Sequence, residues 1–70
     1  MPNLPISNCI RELREKHGDM TQLELAKQIG VTRQTVNAIE LEKYSPSLEV
    51  AFRIAAVFDE PLEDVFTYRS

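Results

Sequence analysis

Apolar positions in this chain recur at helical spacing through most of its length, and capping residues cut the pattern into short segments. Leu4, Pro5 and Ile6 read as a short extended entry, because prolines at 2 and 5 disfavour helix there. Ser7 or Asn8 caps a first helix, with Ile10, Leu13 and a partly buried His17 on one face and Arg11, Glu12, Arg14 and Glu15 outside. Gly18 and Asp19 end it. Thr21 followed by Glu24 forms a capping box for a second helix, whose inner face is Leu25, Ala26 and Ile29. Gly30 falls where a left-handed residue turns the chain, and Thr32 caps a third helix packed inward by Val36 and Ile39. Lys43 to Pro46 form a loop, after which Ser47 caps a fourth helix carrying Leu48, Ala51, Ile54, Ala55 and Phe58. Val50 and Val57 widen that stripe enough to predict a largely buried element. Pro61 opens a fifth short helix at its first helical position, with Leu62, Val65 and Phe66 apolar, and Phe66 to Tyr68 is a β-prone tail. The expectation is an all-α fold: one compact five-helix domain over residues 1–70, with short extended ends.

Residues 22–41 carry the chemistry. Two short amphipathic helices are joined there by a glycine-containing turn of about three to four residues, the spacing of a helix-turn-helix. Arg33, Gln34 and Thr35 begin the second of them, where a helix lying in a DNA major groove presents side chains to base edges. Arg33 matches guanine O6/N7 and Gln34 matches adenine N6/N7, each with two hydrogen bonds. Thr35 has two readings of equal weight, a thymine-methyl or phosphate contact and a plain helix-surface position. Asn37 is balanced between a DNA contact and a solvated amide. Ala38 is small enough for close groove approach and is also a good helix former. Gln22, at the start of the second helix, is placed for a phosphate, where helix N-terminal amides favour an anion. Thr32, Lys43, Tyr44 and Ser47 are the other phosphate candidates, Lys43 foremost. Capping alone also explains Ser47, and Tyr44 has the alternative of packing on the fourth helix.

Charge complicates this picture. The 70 residues carry a net −3, the wrong sign for a DNA-binding footprint. Residues 1–21 and 22–44 are each neutral; the excess lies in 49–64, where Glu49, Asp59, Glu60, Glu63 and Asp64 face only Arg53. The reading half is thus neutral and the far end acidic, which predicts weak non-specific affinity for DNA. A chain this short also needs a staple. Cys9 has no partner for a disulfide, and Cys9 with His17 does not make a metal site, so dimerisation is the staple left. Cys9 reads as a near-core residue in a reducing cytoplasm. Leu62, Val65, Phe66 and Tyr68 exceed what one small core needs and point to a dimer seam, with closure of the single-chain core as the alternative and room for some of them to do both. No signal peptide and no apolar run of about 18 residues is read. Glu63 and Asp64 diverge, and there is no nucleophile–base set, metal cluster or phosphate-cradling glycine loop, so neither an enzyme nor a cofactor or small-molecule ligand is expected.

From about Ile10 to Phe66 the sequence resembles the lambda/434-repressor, or Cro/C1-type (XRE), helix-turn-helix family, most of all in Gln22 to Glu40. Arg33 to Glu40, Lys43 to Leu48 and Pro61 to Phe66 together resemble a subgroup of very small bacterial and archaeal repressors that includes the cytolysin-operon repressor. The resemblance implies a cytoplasmic prokaryotic repressor that binds double-stranded DNA at an inverted-repeat operator as a homodimer. It implies a dimer built with extended ends, here Asn3 to Ile6 and Phe66 to Tyr68, often as a small β-sheet; Leu4, Ile6, Leu62, Val65, Phe66 and Tyr68 are the seam candidates. One departure stands out: where the family has asparagine-glycine or a similar small pair after the third helix, this chain has Leu41 and Glu42, and Glu42 beside Lys43 is expected to weaken the local positive potential. Two alternatives remain, an antitoxin whose acidic 49–64 face docks a toxin and a protein-interaction module that kept the fold without DNA binding.

Overall fold

The computed structural model describes residues 5–69; Leu4 and Asn3, expected in the extended entry, lie outside the described residues. The order is β1 (Ile6–Asn8), α1 (Ile10–Lys16), α2 (Gln22–Ile29), α3 (Arg33–Glu40), α4 (Leu48–Phe58), α5 (Leu62–Val65) and β2 (Phe66–Tyr68). The five-helix expectation holds, and so do the extended ends. β1 and β2 pair antiparallel with Ile6 opposite Tyr68, Ser7 opposite Thr67 and Asn8 opposite Phe66. The ladder continues into the helices through Cys9 N–H donating to the Val65 carbonyl at 3.0 Å. The sheet is therefore formed by the two ends of a single chain.

Capping sets most helix limits. Thr21 accepts from Glu24 N–H at 3.0 Å while Glu24 Oε1 accepts from Thr21 N–H at 2.8 Å, completing the expected capping box. Thr32 caps α3 by accepting from Thr35 N–H, and Ser47 caps α4 by accepting from Val50 N–H. Gly30 ends α2 at φ +77°, a conformation that a Cβ resists. α3 ends less conventionally: Leu41 is its cap and Glu42 takes φ +61°, with Lys43 N–H closing back on the Ala38 carbonyl at 2.9 Å. The position where the resemblance leads one to expect a small pair is thus left-handed at Glu42, a non-glycine residue.

The core gathers Ile10 and Leu13 of α1, Leu25, Ala26 and Ile29 of α2, Val36 and Ile39 of α3, Ile54, Ala55 and Phe58 of α4, and Val65 of α5. Several expectations change. Asn8 lies in β1 and Cys9 holds the cap position of α1 without a side-chain capping bond; Asn8 Oδ1 accepts from Ile10 N–H from one residue further back. Pro61 is the residue before α5 and not its first turn, since ψ of 150° keeps it extended. His17 is exposed, its ring in an edge contact with Phe58, centroids 5.1 Å apart, and its Nδ1 2.9 Å from the Leu13 carbonyl. Arg14 was placed outside, yet its side chain is 13% exposed, because it stands one turn after Ile10 on the same face. α4 is not largely buried: Leu48 is 67% and Phe52 53% exposed. α4 packs on α2 and α5 along one side, and among the described residues no further element covers the other.

Candidate nucleic-acid interface

The outward face of α3 follows from its two buried residues. With Val36 and Ile39 turned into the core, a 100° step per residue sends Gln34, Asn37 and Leu41 to the opposite side, flanked by Arg33 and Ala38. Arg33, Gln34 and Asn37 are exposed; Ala38 and Thr35 are half-buried. Thr35 lies on the flank, its hydroxyl 3.0 Å from that of Thr32. The α2–turn–α3 unit therefore brings Arg33, Gln34, Asn37 and Ala38 onto one surface and sets Thr35 at its edge. Leu41 belongs to that surface as well, 52% exposed and one turn beyond Asn37, a position that the helical count extended by one residue would have found.

The phosphate candidates separate into two kinds. Lys43 and Tyr44 leave α3 with exposed side chains. The Thr32 and Ser47 hydroxyls both serve as helix caps, as helix starts require. Gln22 is held more firmly: its Nε2 donates to Asn37 Oδ1 at 3.1 Å and to Glu40 Oε1 at 3.2 Å. Both amide hydrogens are thereby engaged inside the protein, so the donors left at this helix start are the main-chain N–H groups.

Beneath this surface lies an ion pair that sequence reasoning missed. Arg14 grips Glu40 with two bonds, Nε to Oε2 at 2.7 Å and Nη2 to Oε1 at 3.0 Å, and its Nη1 donates to the Met20 carbonyl at 2.8 Å. The Glu40 side chain is 7% exposed. Hydrogen bonding to Glu40 raises the Arg14 pKa above its ordinary value despite the opposing effect of burial. One guanidinium thus ties α1, the turn before α2 and the end of α3 together. Asn8 adds a second tie, donating from Nδ2 to the Ile39 carbonyl at 2.9 Å, so the terminal sheet is bonded to the exit of α3. The signal for Asn8 was present but pointed only to capping.

These pairings alter the electrostatics inferred from the sequence. Glu40 is neutralised by Arg14, and Glu42 by Arg69 from the end of the chain. Arg33 and Lys43 have no carboxylate partner among the described residues. A segment neutral by count therefore presents two uncompensated cations on its outer face, and Glu42 does not cancel Lys43. Cys9 takes no part: its thiol donates to the Asp64 carbonyl at 3.1 Å, and burial pushes its pKa up, away from the reactive thiolate. No group of three or more His, Cys, Asp or Glu able to hold a metal occurs among the described residues, and no helix there is long and apolar enough to cross a membrane.

Comparison with known proteins agrees with this geometry. A helix-turn-helix family profile matches residues 10–65. The chain is 52% identical over 59 residues to an uncharacterized HTH-type transcriptional regulator of Archaeoglobus fulgidus, covering 84% of this chain and 83% of that one. It is 48% identical over 63 residues to one of Methanocaldococcus jannaschii, covering 90% and 94%. A Bacillus subtilis protein of the same description is 46% identical over 61 residues, covering 87% and 91%. The chain, with its capped α2, left-handed Gly30 and polar outer face on α3, belongs to the Cro/C1-type helix-turn-helix family of DNA-binding transcription regulators and is not an enzyme.

Proposed function

We propose that this chain is a cytoplasmic repressor that binds a pseudo-palindromic operator as a homodimer, each copy a single domain. The observation that carries the reading is the charge arrangement of α3. Arg33 and Lys43 have no carboxylate partner among the described residues, while Glu40 and Glu42 are paired with Arg14 and Arg69. Arg33 and Gln34 read base edges, Asn37, Ala38 and Thr35 approach the same groove, and Lys43, Tyr44, Thr32, Ser47 and the start of α2 hold the phosphate backbone. Backbone contacts set register and base contacts set sequence. Repression then follows from occluding a promoter.

Support for the homodimer comes from the apolar surface beside the terminal sheet. Ile6, Leu62 and Phe66 border two adjoining shallow cavities, one reaching Tyr68 and the other reaching Pro46, Leu48 and Ala51. An apolar strip so placed, beside a two-stranded sheet with an open edge on each strand, suits a second copy of the same surface. Val65 is 1% exposed and belongs to the core, so it is not counted in this seam. Two α3 helices related by the twofold would enter major grooves about 34 Å apart, one DNA turn.

Selection of sites from a random DNA pool, followed by fluorescence anisotropy on the winner across a salt series, tests this. The expected result is an enriched inverted repeat whose affinity falls steeply with salt. Absence of enrichment, with only feeble salt-sensitive binding, would reject the operator reading in favour of an interaction module or an antitoxin awaiting its partner.

A further inference from the structure

Glu40 fixes the polarity of a short chain of amides between α2 and α3. A carboxylate only accepts hydrogen bonds, so the Gln22 atom 3.2 Å from Glu40 Oε1 is the amide nitrogen Nε2. That nitrogen donates its second hydrogen to Asn37 at 3.1 Å, and the Asn37 atom facing it is therefore the oxygen Oδ1. Arg14, bound to both Glu40 oxygens, keeps the anchor of this chain in place. Two polar atoms are left over: the acceptor Oε1 of Gln22 and the donor Nδ2 of Asn37, neither with a partner among the described residues. Both side chains border one cleft of about 330 Å³ between α1, α2 and α3.

We infer that Gln22 and Asn37 form one composite reader of a single adenine, with Glu40 as its positioning residue. The inference rests on operator binding by α3 and sharpens it: Gln22 becomes a base reader whose polarity is set from within the protein. The major-groove edge of adenine places the N7 acceptor beside the N6 amino donor. Asn37 Nδ2 donates to N7, and N6 donates to Gln22 Oε1. Guanine presents two acceptors, N7 and O6, and so leaves Gln22 Oε1 facing a second acceptor. A freely rotating glutamine would turn its amide over and accommodate either base; one anchored by Glu40 does not.

The test uses the wild-type protein on its selected operator, with each adenine replaced in turn by 7-deazaadenine, which lacks N7, and by purine, which lacks the N6 amino group. At one adenine of each half-site, both analogues should weaken binding by about tenfold. There, Asn37→Ala should abolish the response to 7-deazaadenine and Gln22→Ala the response to purine. An operator bound specifically but indifferent to both analogues at every adenine overturns the composite reader while leaving operator binding intact. So does a Gln22→Ala variant that weakens all sequences alike and lowers the salt slope, the mark of a phosphate contact. Failure to enrich any site overturns operator binding itself, and the reader with it.

Discussion

Arg33 and Lys43 carry the same charge but stand at opposite ends of α3, and their loss should read out differently. Arg33→Ala is expected to relax base preference at one operator position, with a cost of about 1–3 kcal/mol at the preferred base. Lys43→Ala should weaken all sequences by a similar factor and reduce the salt slope by about one. Binding titrations on matched and single-substituted sites at several salt concentrations separate the two; equal loss at every sequence for both variants would overturn the assignment. Arg14 and Glu40 act through stability as well as positioning. With side-chain exposures of 13% and 7%, removing one partner strands the other charge, so Arg14→Met should cost about 3 kcal/mol in denaturant unfolding. Pairing it with Glu40→Leu should restore much of that stability. Arg33 and Gln34 were legible because outward polar residues at a helix start depend on local spacing alone. Arg14, Glu40 and Asn8 were not, because their roles join residues 26 to 31 positions apart.

Secondary structure in this chain is legible wherever a hydroxyl or a glycine marks a boundary. Thr21, Thr32 and Ser47 each cap the helix expected of them, since the bond closes within three residues and needs no tertiary context. The misplaced details, Pro61 and the exposure of α4, depend on what packs nearby. The α2 capping box also has a consequence with pH. Backbone and then side-chain hydrogen bonding from Thr21 holds the Glu24 carboxyl below its ordinary 4.5. A depressed folded-state pKa contributes stability above the unfolded value and loses it as pH falls through the folded one. The stability gap between wild type and Glu24→Gln should therefore be full at neutral pH and close in acid below 4.5; a gap independent of pH would show that the carboxylate charge plays no part. The turn between α2 and α3 offers a backbone test. Gly18 and Gly30 both have positive φ, but a Cβ at Gly18 meets open space, whereas at Gly30 it falls 3.3 Å from Arg53 Nη1. That nitrogen donates to the Ile29 carbonyl at 3.1 Å. Gly18→Ala should cost about 1 kcal/mol in thermal unfolding, and Gly30→Ala more, because Arg53 must shift as well.

For the whole molecule, the governing problem is that a chain of this size buries little surface, and this one leaves Leu48 and Tyr68 more than half exposed. The proposed dimer resolves both facts with one surface. Leu48 is the position to test it. It begins α4, where an acidic side chain is favoured by the helix dipole, and at 67% exposure it contributes little to the single-chain core. Leu48→Glu should therefore leave the monomer folded with its cap intact while setting a charge into the strip formed with Ile6, Leu62 and Phe66. Sedimentation should show the wild type as a dimer and the variant shifted towards monomer by at least tenfold in dissociation constant. The wild-type melting temperature should rise with protein concentration and that of the variant much less, since assembly stabilises the fold by mass action. Operator affinity should fall with dimerisation, because two linked recognition helices gain from one another what neither has alone. A variant that sediments, melts and binds DNA like the wild type would place the seam elsewhere and leave Leu48 as an ordinary exposed leucine.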